Sequence, residues 1–202
     1  MTGPSATDLP ASLLAQQYTR CALYLDHIEY YRSHVVPRLG DGLTAVEFGG
    51  SNGFIQELFD GVDYRVAPNA PKVDIHDLSS YEADAYDFVV LDEILEHVAK
   101  PWLAVEEVRR ILKPGGTLIT SSPFMVAVHK VPADYWRFTE DAMRVLLENY
   151  STVTTRSWGN PAAVTYVMNG MMATTQDAID AGAFDLTNVE KYAIDVWAYA
   201  TK

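Results

Sequence analysis

The stretch Thr44-Ala45-Val46-Glu47-Phe48-Gly49-Gly50-Ser51-Asn52-Gly53-Phe54-Ile55 constrains the fold most. An apolar run ends in an acidic residue, passes through a glycine-rich turn and enters a pattern suited to a helix. Small residues at such a junction let backbone N–H groups approach a ligand closely. A carboxylate at the strand end repels a pyrophosphate but suits a cationic ammonium group. The glycines at Gly49, Gly50 and Gly53 also miss the G-x-G-x-x-G dinucleotide spacing.

Apolar runs alternate with amphipathic ones along the rest of the chain. Residues 43–48, 62–67, 86–91 and 117–122 read as strands, with 73–75 as a brief extended piece. Residues 101–112 read as a helix, with Ala104, Val105, Val108, Ile111 and Leu112 on one side and Glu106, Glu107, Arg109 and Arg110 on the other. A short helix is expected over 52–60, and another from the Thr139 cap to about Asn149. Leu14, Tyr18, Cys21, Leu25 and Ile28 mark one face of an earlier helix. Pro37 and Gly40 close that segment, dividing the chain into an N-terminal helical part (1–40) and a core (41–202). Residues 152–158 and 192–199 read as late strands, with Ile194 and Val196 alternating against Asp195 and Trp197. The pattern predicts a doubly wound α/β domain: a parallel sheet, helices on both faces and an antiparallel pair at one edge.

A net charge of −12 removes the basic footprint of a nucleic-acid partner. The one cysteine, Cys21, excludes an intrachain disulfide and is expected as a buried thiol. No run of about 18 apolar residues suggests a membrane span, and no basic-then-apolar leader opens the chain. A cytoplasmic protein with no membrane partner is the expectation.

Glu47, Gly49 and Gly53, with Ser51 in place of a middle glycine, resemble motif I of class I S-adenosylmethionine-dependent methyltransferases. Asp74-Ile75-His76-Asp77-Leu78 is similar to the family's Asp-Ala-x-x-Leu stretch. Residues 87–98 look like its fourth-strand motif, and Leu112-Lys113-Pro114-Gly115-Gly116 like its turn before strand five. The resemblance covers about residues 40–140. It implies a Rossmann-like seven-stranded sheet whose last strand inserts antiparallel, with S-adenosylmethionine as cofactor. It places Glu47 at the methionine ammonium. The backbone of Phe48, Gly49, Gly50, Ser51 and Gly53 falls near the carboxylate and ribose, and Asp74 and Ile75 at the adenine. Leu91 and Asp92 complete the cofactor surface. The ribose-binding acid usual at the end of strand two is absent, and Asn69 stands nearest to its place.

Ser122 to Thr139 resembles the Pro-Phe…His…Pro-x-Asp-Tyr-Trp-Arg-Phe-Thr loop of a small-methyltransferase subgroup. Ligands of open α/β sheets sit beyond the carboxyl ends of the strands, where this loop must lie. Insertions near 123–138 and 160–188 therefore form the acceptor side. His129 is the first candidate base, against a plain loop histidine bonded to backbone. His97 is the second: in a helix over 93–98, Glu93 at i, i+4 would orient its ring. The competing view is a helix-terminal histidine packed on strand five.

Asp134 and Arg137 are expected to pair, and Tyr135, Trp136 and Phe138 to pack. Met168, Met171 and Met172 suit core filling or an adaptable acceptor pocket. Asp74, His76 and Asp77, or Asp92, Glu93 and His97, lack diagnostic metal-ligand spacing, so no metal is expected. The reaction expected is methyl transfer to an oxygen, ahead of nitrogen, of a small-molecule acceptor. Two rivals stay open: an NAD-dependent oxidoreductase, and a non-catalytic cofactor-binding or scaffolding protein of the same fold. The sequence does not fix an oligomeric state.

Overall fold

The structure is a computed structural model that describes residues 14–15, 25–26, 30–31, 33–49, 55–68, 72–130, 132–170, 174–182 and 184–202. Strand β1 (Thr44–Phe48) pairs in parallel with β2 (Asp63–Val66) and with β3 (Tyr86–Leu91). β3 pairs in parallel with β4 (Leu112–Pro123). β6 (Asp195–Thr201) inserts antiparallel between β4 and β5 (Thr152–Trp158), giving the order β2-β1-β3-β4-β6-β5.

Both faces of the sheet are covered, which is why its strands read as apolar runs rather than alternating ones. Val89 and Leu91 of β3 face one layer, with Val105, Val108 and Ile111 of α1 (Pro101–Ile111) and Met143 of α2 (Glu140–Leu146). Phe88 and Val90 face the other layer, with Tyr31, Val35, Ile55 and Phe59. Burying each such side chain stabilises the fold by about 1.5–3 kcal/mol. An Asp in place of Val108, at 0% exposure, would put an unpaired charge in the first layer. α1 starts at a proline whose missing N–H costs a first-turn residue nothing. α2 starts where Thr139 Oγ1 accepts from Ala142 N at 3.1 Å. Helices α3 (Pro161–Gly170) and α4 (Thr175–Asp180) enclose a third, smaller core of Trp158, Ala163, Val167, Ala178 and Ile194.

Several expectations need correction. The sheet has six strands among the described residues, not seven. Residues 73–75 do not extend it, because Asp74 Oδ1 accepts from His76 N at 2.9 Å and turns the chain there. The last strand is antiparallel as expected, but begins at Asp195. Its alternation does not separate core from solvent, since Asp195 and Trp197 are buried along with Val196. Lys113-Pro114-Gly115-Gly116 bulges within β4, between the pairs Tyr86–Leu112 and Phe88–Thr117, with Gly115 at φ 78°. α2 ends at Leu146. Of the helix expected over 52–60, the described part is a 3-10 turn, Gln56–Leu58.

The N-terminal face residues Tyr18, Cys21 and Ile28 lie outside the described residues, as do Met171 and Met172. Asp26 Oδ2 accepts from Trp197 Nε1 at 2.8 Å, and Tyr30 donates to Thr154 Oγ1 at 3.0 Å, fastening these two residues to β6 and β5. No helix among the described residues is long and apolar enough to cross a membrane.

Candidate active site

The register Phe48–Leu91–Thr120 brings β1, β3 and β4 to one carboxyl edge. There Glu47 is fully buried, and Tyr64 of β2 donates its hydroxyl to Glu47 Oε2 at 2.8 Å. Gly49 follows at φ 103°, and a Cβ there would lie 1.9 Å from Ile94 Cδ1. Only glycine lets the chain leave the strand on this path. Ser121 Oγ donates to Asp92 Oδ1 at 2.6 Å and accepts from Glu93 N at 3.1 Å. A recess beside these groups is lined by Ile55, Val90, Asp92, Ile119, Ser121 and Trp197.

The remaining cofactor candidates differ in what they present. Phe48 is buried edge-on against Tyr81, and Leu91 is buried with its carbonyl accepting from Thr120 Oγ1 at 2.9 Å. The Asp74 side chain is 68% exposed, with Oδ1 held 2.6 Å from His76 Nδ1. Hydrogen bonds from the His76 backbone and ring hold its carboxyl below the usual range. Ile75 packs on the first layer. Gly50, Ser51, Gly53 and Asn69 lie outside the described residues.

His97 and His129 meet, their ring centroids 5.0 Å apart and their planes near perpendicular at 85°. The loop carrying His129 is clamped to the 3-10 turn Leu95–His97. Tyr135 N donates to the Glu96 carbonyl at 2.7 Å, and Trp136 Nε1 to the Val98 carbonyl at 2.9 Å. Asp134 braces the loop, accepting from His129 N at 2.8 Å and from Arg137 Nη1 and Nη2, the latter at 2.8 Å. The Arg137 hydrogen bonds outweigh burial and pull the Asp134 carboxyl down to about 2. The expected Asp134–Arg137 pair is therefore present. Phe138 packs inside, whereas Tyr135 is 56% exposed and does not.

Sequence reasoning paired His97 with the wrong carboxylate. Glu93 takes φ 55°, so no helix runs through 93–98, and the carboxylate beside His97 is Glu96. Glu96 Oε1 lies 3.4 Å from His97 Nε2 and 3.9 Å from His129 Nε2. Its other oxygen accepts from Ser122 Oγ at 3.3 Å, which ties the cluster to the end of β4. Glu96 is fully buried. Burial, with the negative charges of Asp195 and Asp92, pushes its carboxyl well above the usual range. Nothing in the sequence around Glu96 signals that burial. The clue lay in its place one residue before His97.

A family model described as a methyltransferase domain matches residues 55–120. The chain is 31% identical over 112 residues to a ubiquinone biosynthesis O-methyltransferase of Xanthomonas campestris pv. campestris, a match covering 51% of this chain. It covers 44% of that relative, so the chain spans less than half the length of the curated relatives it matches. In fold it is similar to a SAM-dependent methyltransferase from Archaeoglobus fulgidus, with TM-score 0.57, 13% identity, and 88% of this chain and 94% of that one covered. A second likeness is an N-methyltransferase of Haemonchus contortus solved with S-adenosylhomocysteine, with TM-score 0.53, 10% identity, and 86% and 52% covered.

Proposed function

We propose that this chain is a class I S-adenosylmethionine-dependent methyltransferase that methylates an oxygen of a small acceptor, a reading supported by its fold and its matched segment. The observation that carries the reading is the pairing of two features at one sheet edge. A buried carboxylate, Glu47, sits two residues before a positive-φ glycine, Gly49. Across the edge, Glu96, His97 and His129 gather at the ends of β3 and β4.

The residues present fit the cofactor. Glu47 offers a negative charge, set in a dry place by Tyr64, for a cationic ammonium. Its position beside the glycine turn is the place where backbone N–H groups meet a ligand. Asp74 keeps an exposed carboxylate for a polar ring or hydroxyl. When bound, S-adenosylmethionine supplies an electrophilic methyl carbon on a sulfonium.

This chain's residues then have two tasks. They align the acceptor with that carbon, and they take the acceptor's hydroxyl proton as the bond forms. The Glu96–His97–His129 cluster lies on the acceptor side and suits the second task, with His129 first and His97 next. Oxygen is favoured over nitrogen because the curated relatives carry O-methyltransferase names and because a neutral hydroxyl benefits most from such a group. A soluble cytoplasmic enzyme acting on a small molecule is the accompanying reading. The NAD-dependent alternative finds no support in the glycine spacing.

Release of S-adenosylhomocysteine over a panel of hydroxylated and amine acceptors tests the proposal. A hydroxylated acceptor should turn over, and His129→Ala should reduce that turnover about 10²–10⁴-fold. Turnover confined to amines, or a His129→Ala variant with full activity, would overturn it.

A further inference from the structure

The cluster contains more acceptors than donors can explain. His97 Nδ1 bonds the Ala133 carbonyl, and a carbonyl only accepts, so Nδ1 carries the proton. His129 Nδ1 faces the Ala127 carbonyl at 3.3 Å and Asp134 Oδ2 at 3.5 Å, both acceptors again. In neutral rings each Nε2 is then a bare lone pair. Both lone pairs converge on Glu96 Oε1, a buried oxygen with no hydrogen-bond partner among the described residues. A single proton on that oxygen reaches only one of the two nitrogens. A cation between them satisfies all three.

The geometry suits an ion. The three ligand atoms lie within 4.8 Å of one another, with separations from Oε1 of 3.4 and 3.9 Å. Tetrahedral coordination with bonds of about 2.0–2.1 Å puts ligands about 3.3 Å apart, so modest contraction closes the site. Metal-binding imidazoles typically donate their other N–H to a carbonyl or carboxylate, as both rings do here. Two imidazoles with one carboxylate suit zinc and its first-row neighbours better than magnesium or calcium. The imidazole side chains keep 16% and 23% exposure while Glu96 has none, which leaves the solvent side open for a further ligand.

We propose that Glu96 Oε1, His97 Nε2 and His129 Nε2 bind one divalent transition-metal cation, zinc by preference, with a position left open. The use of that position rests on the proposed methyl transfer. An acceptor hydroxyl bound there releases its proton to solvent, and the metal-bound oxygen then attacks the methyl carbon as the carbon–sulfur bond breaks. With the ion bound, the proton-removing task assigned above to His129 and His97 passes to the ion, and both rings serve as its ligands; without it they keep that task. Binding of the ion itself does not depend on that reading.

The test uses the full chain stripped with a chelator, then given zinc or cobalt(II). Bound metal is read by elemental analysis, and cobalt geometry by its visible absorption. One equivalent of zinc and a tetrahedral-type cobalt spectrum are expected. Glu96→Gln and His129→Ala should each weaken zinc binding at least tenfold, and His34→Ala, remote from the cluster, should not. Circular dichroism and S-adenosylhomocysteine affinity show that the variants are folded. Less than a tenth of an equivalent in the folded wild-type chain, or equal binding by folded variants, overturns the site. Cofactor binding without metal overturns this proposal and leaves methyl transfer standing. Stoichiometric zinc without cofactor binding supports the site and overturns the methyl-transfer reading.

Discussion

Tyr64 of β2 donates its hydroxyl to Glu47 Oε2 of β1 at 2.8 Å, so neighbouring parallel strands fix the carboxylate on which the cofactor reading rests. Burial and the Glu47 charge push the phenol's pKa up, so it remains a donor throughout the working pH range. A hydrogen bond to a charged group contributes about 1.5–3 kcal/mol. Tyr64→Phe should accordingly weaken S-adenosylhomocysteine binding by roughly 10-fold or more. Calorimetry showing no change would mean that Tyr64 does not orient the site.

Gly49→Ala should be more damaging than its size suggests. It places a side chain at φ 103° and a Cβ 1.9 Å from Ile94 Cδ1. Strain of this kind costs about 1–3 kcal/mol before the collision is relieved. Thermal melting should fall and cofactor binding should be lost. A variant that melts and binds like the parent would show that the chain can leave β1 by another path.

Asp134 should behave as a positioning residue for His129. Asp134→Asn weakens the Arg137 brace and the acceptor facing His129 Nδ1 while touching nothing near Glu47. Turnover should drop with S-adenosylhomocysteine affinity retained, and zinc affinity should fall about 10–100-fold, as for other orienting partners. Parallel loss of cofactor affinity would instead mark a general fold defect.

Acid should weaken the sheet at Asp87. Burial opposes its ionisation, but bonds from Lys113 Nζ at 2.7 Å and from Thr44 win and hold the carboxyl below its usual range. The unfolded carboxyl titrates near pH 3.9. The folded value is lower, so this stability is complete above about pH 4 and fades as pH falls through the folded value. Asp87→Asn should cost about 1–2 kcal/mol at pH 7, allowing for partial exposure of the pair. The gap between the two chains in melting temperature should close in strong acid. A gap unchanged by acid would mean that the ion pair is not its source.

Apolar patterning located the strand cores and the two helices that open at Pro101 and after Thr139, because those residues carry their start signals locally. It placed an extended edge at 73–75, where the Asp74 side chain captures the backbone instead. It could not find Glu96 as a functional group, since its surroundings come from distant parts of the chain: Ser122 at the end of β4, and Tyr135 and Trp136 bonded to the Glu96 and Val98 carbonyls. Such long-range bonds leave no periodic trace. His129 was legible only because loops after parallel strands gather at one edge. Its meeting with His97 was not.

The central claim, that this chain binds S-adenosylmethionine through Glu47 at the carboxyl edge of its sheet, is tested most directly by calorimetry with S-adenosylhomocysteine. The account predicts saturable binding near one equivalent, lost or severely weakened in a folded Glu47→Ala variant. No binding at millimolar ligand, or unchanged affinity in that variant, would contradict it.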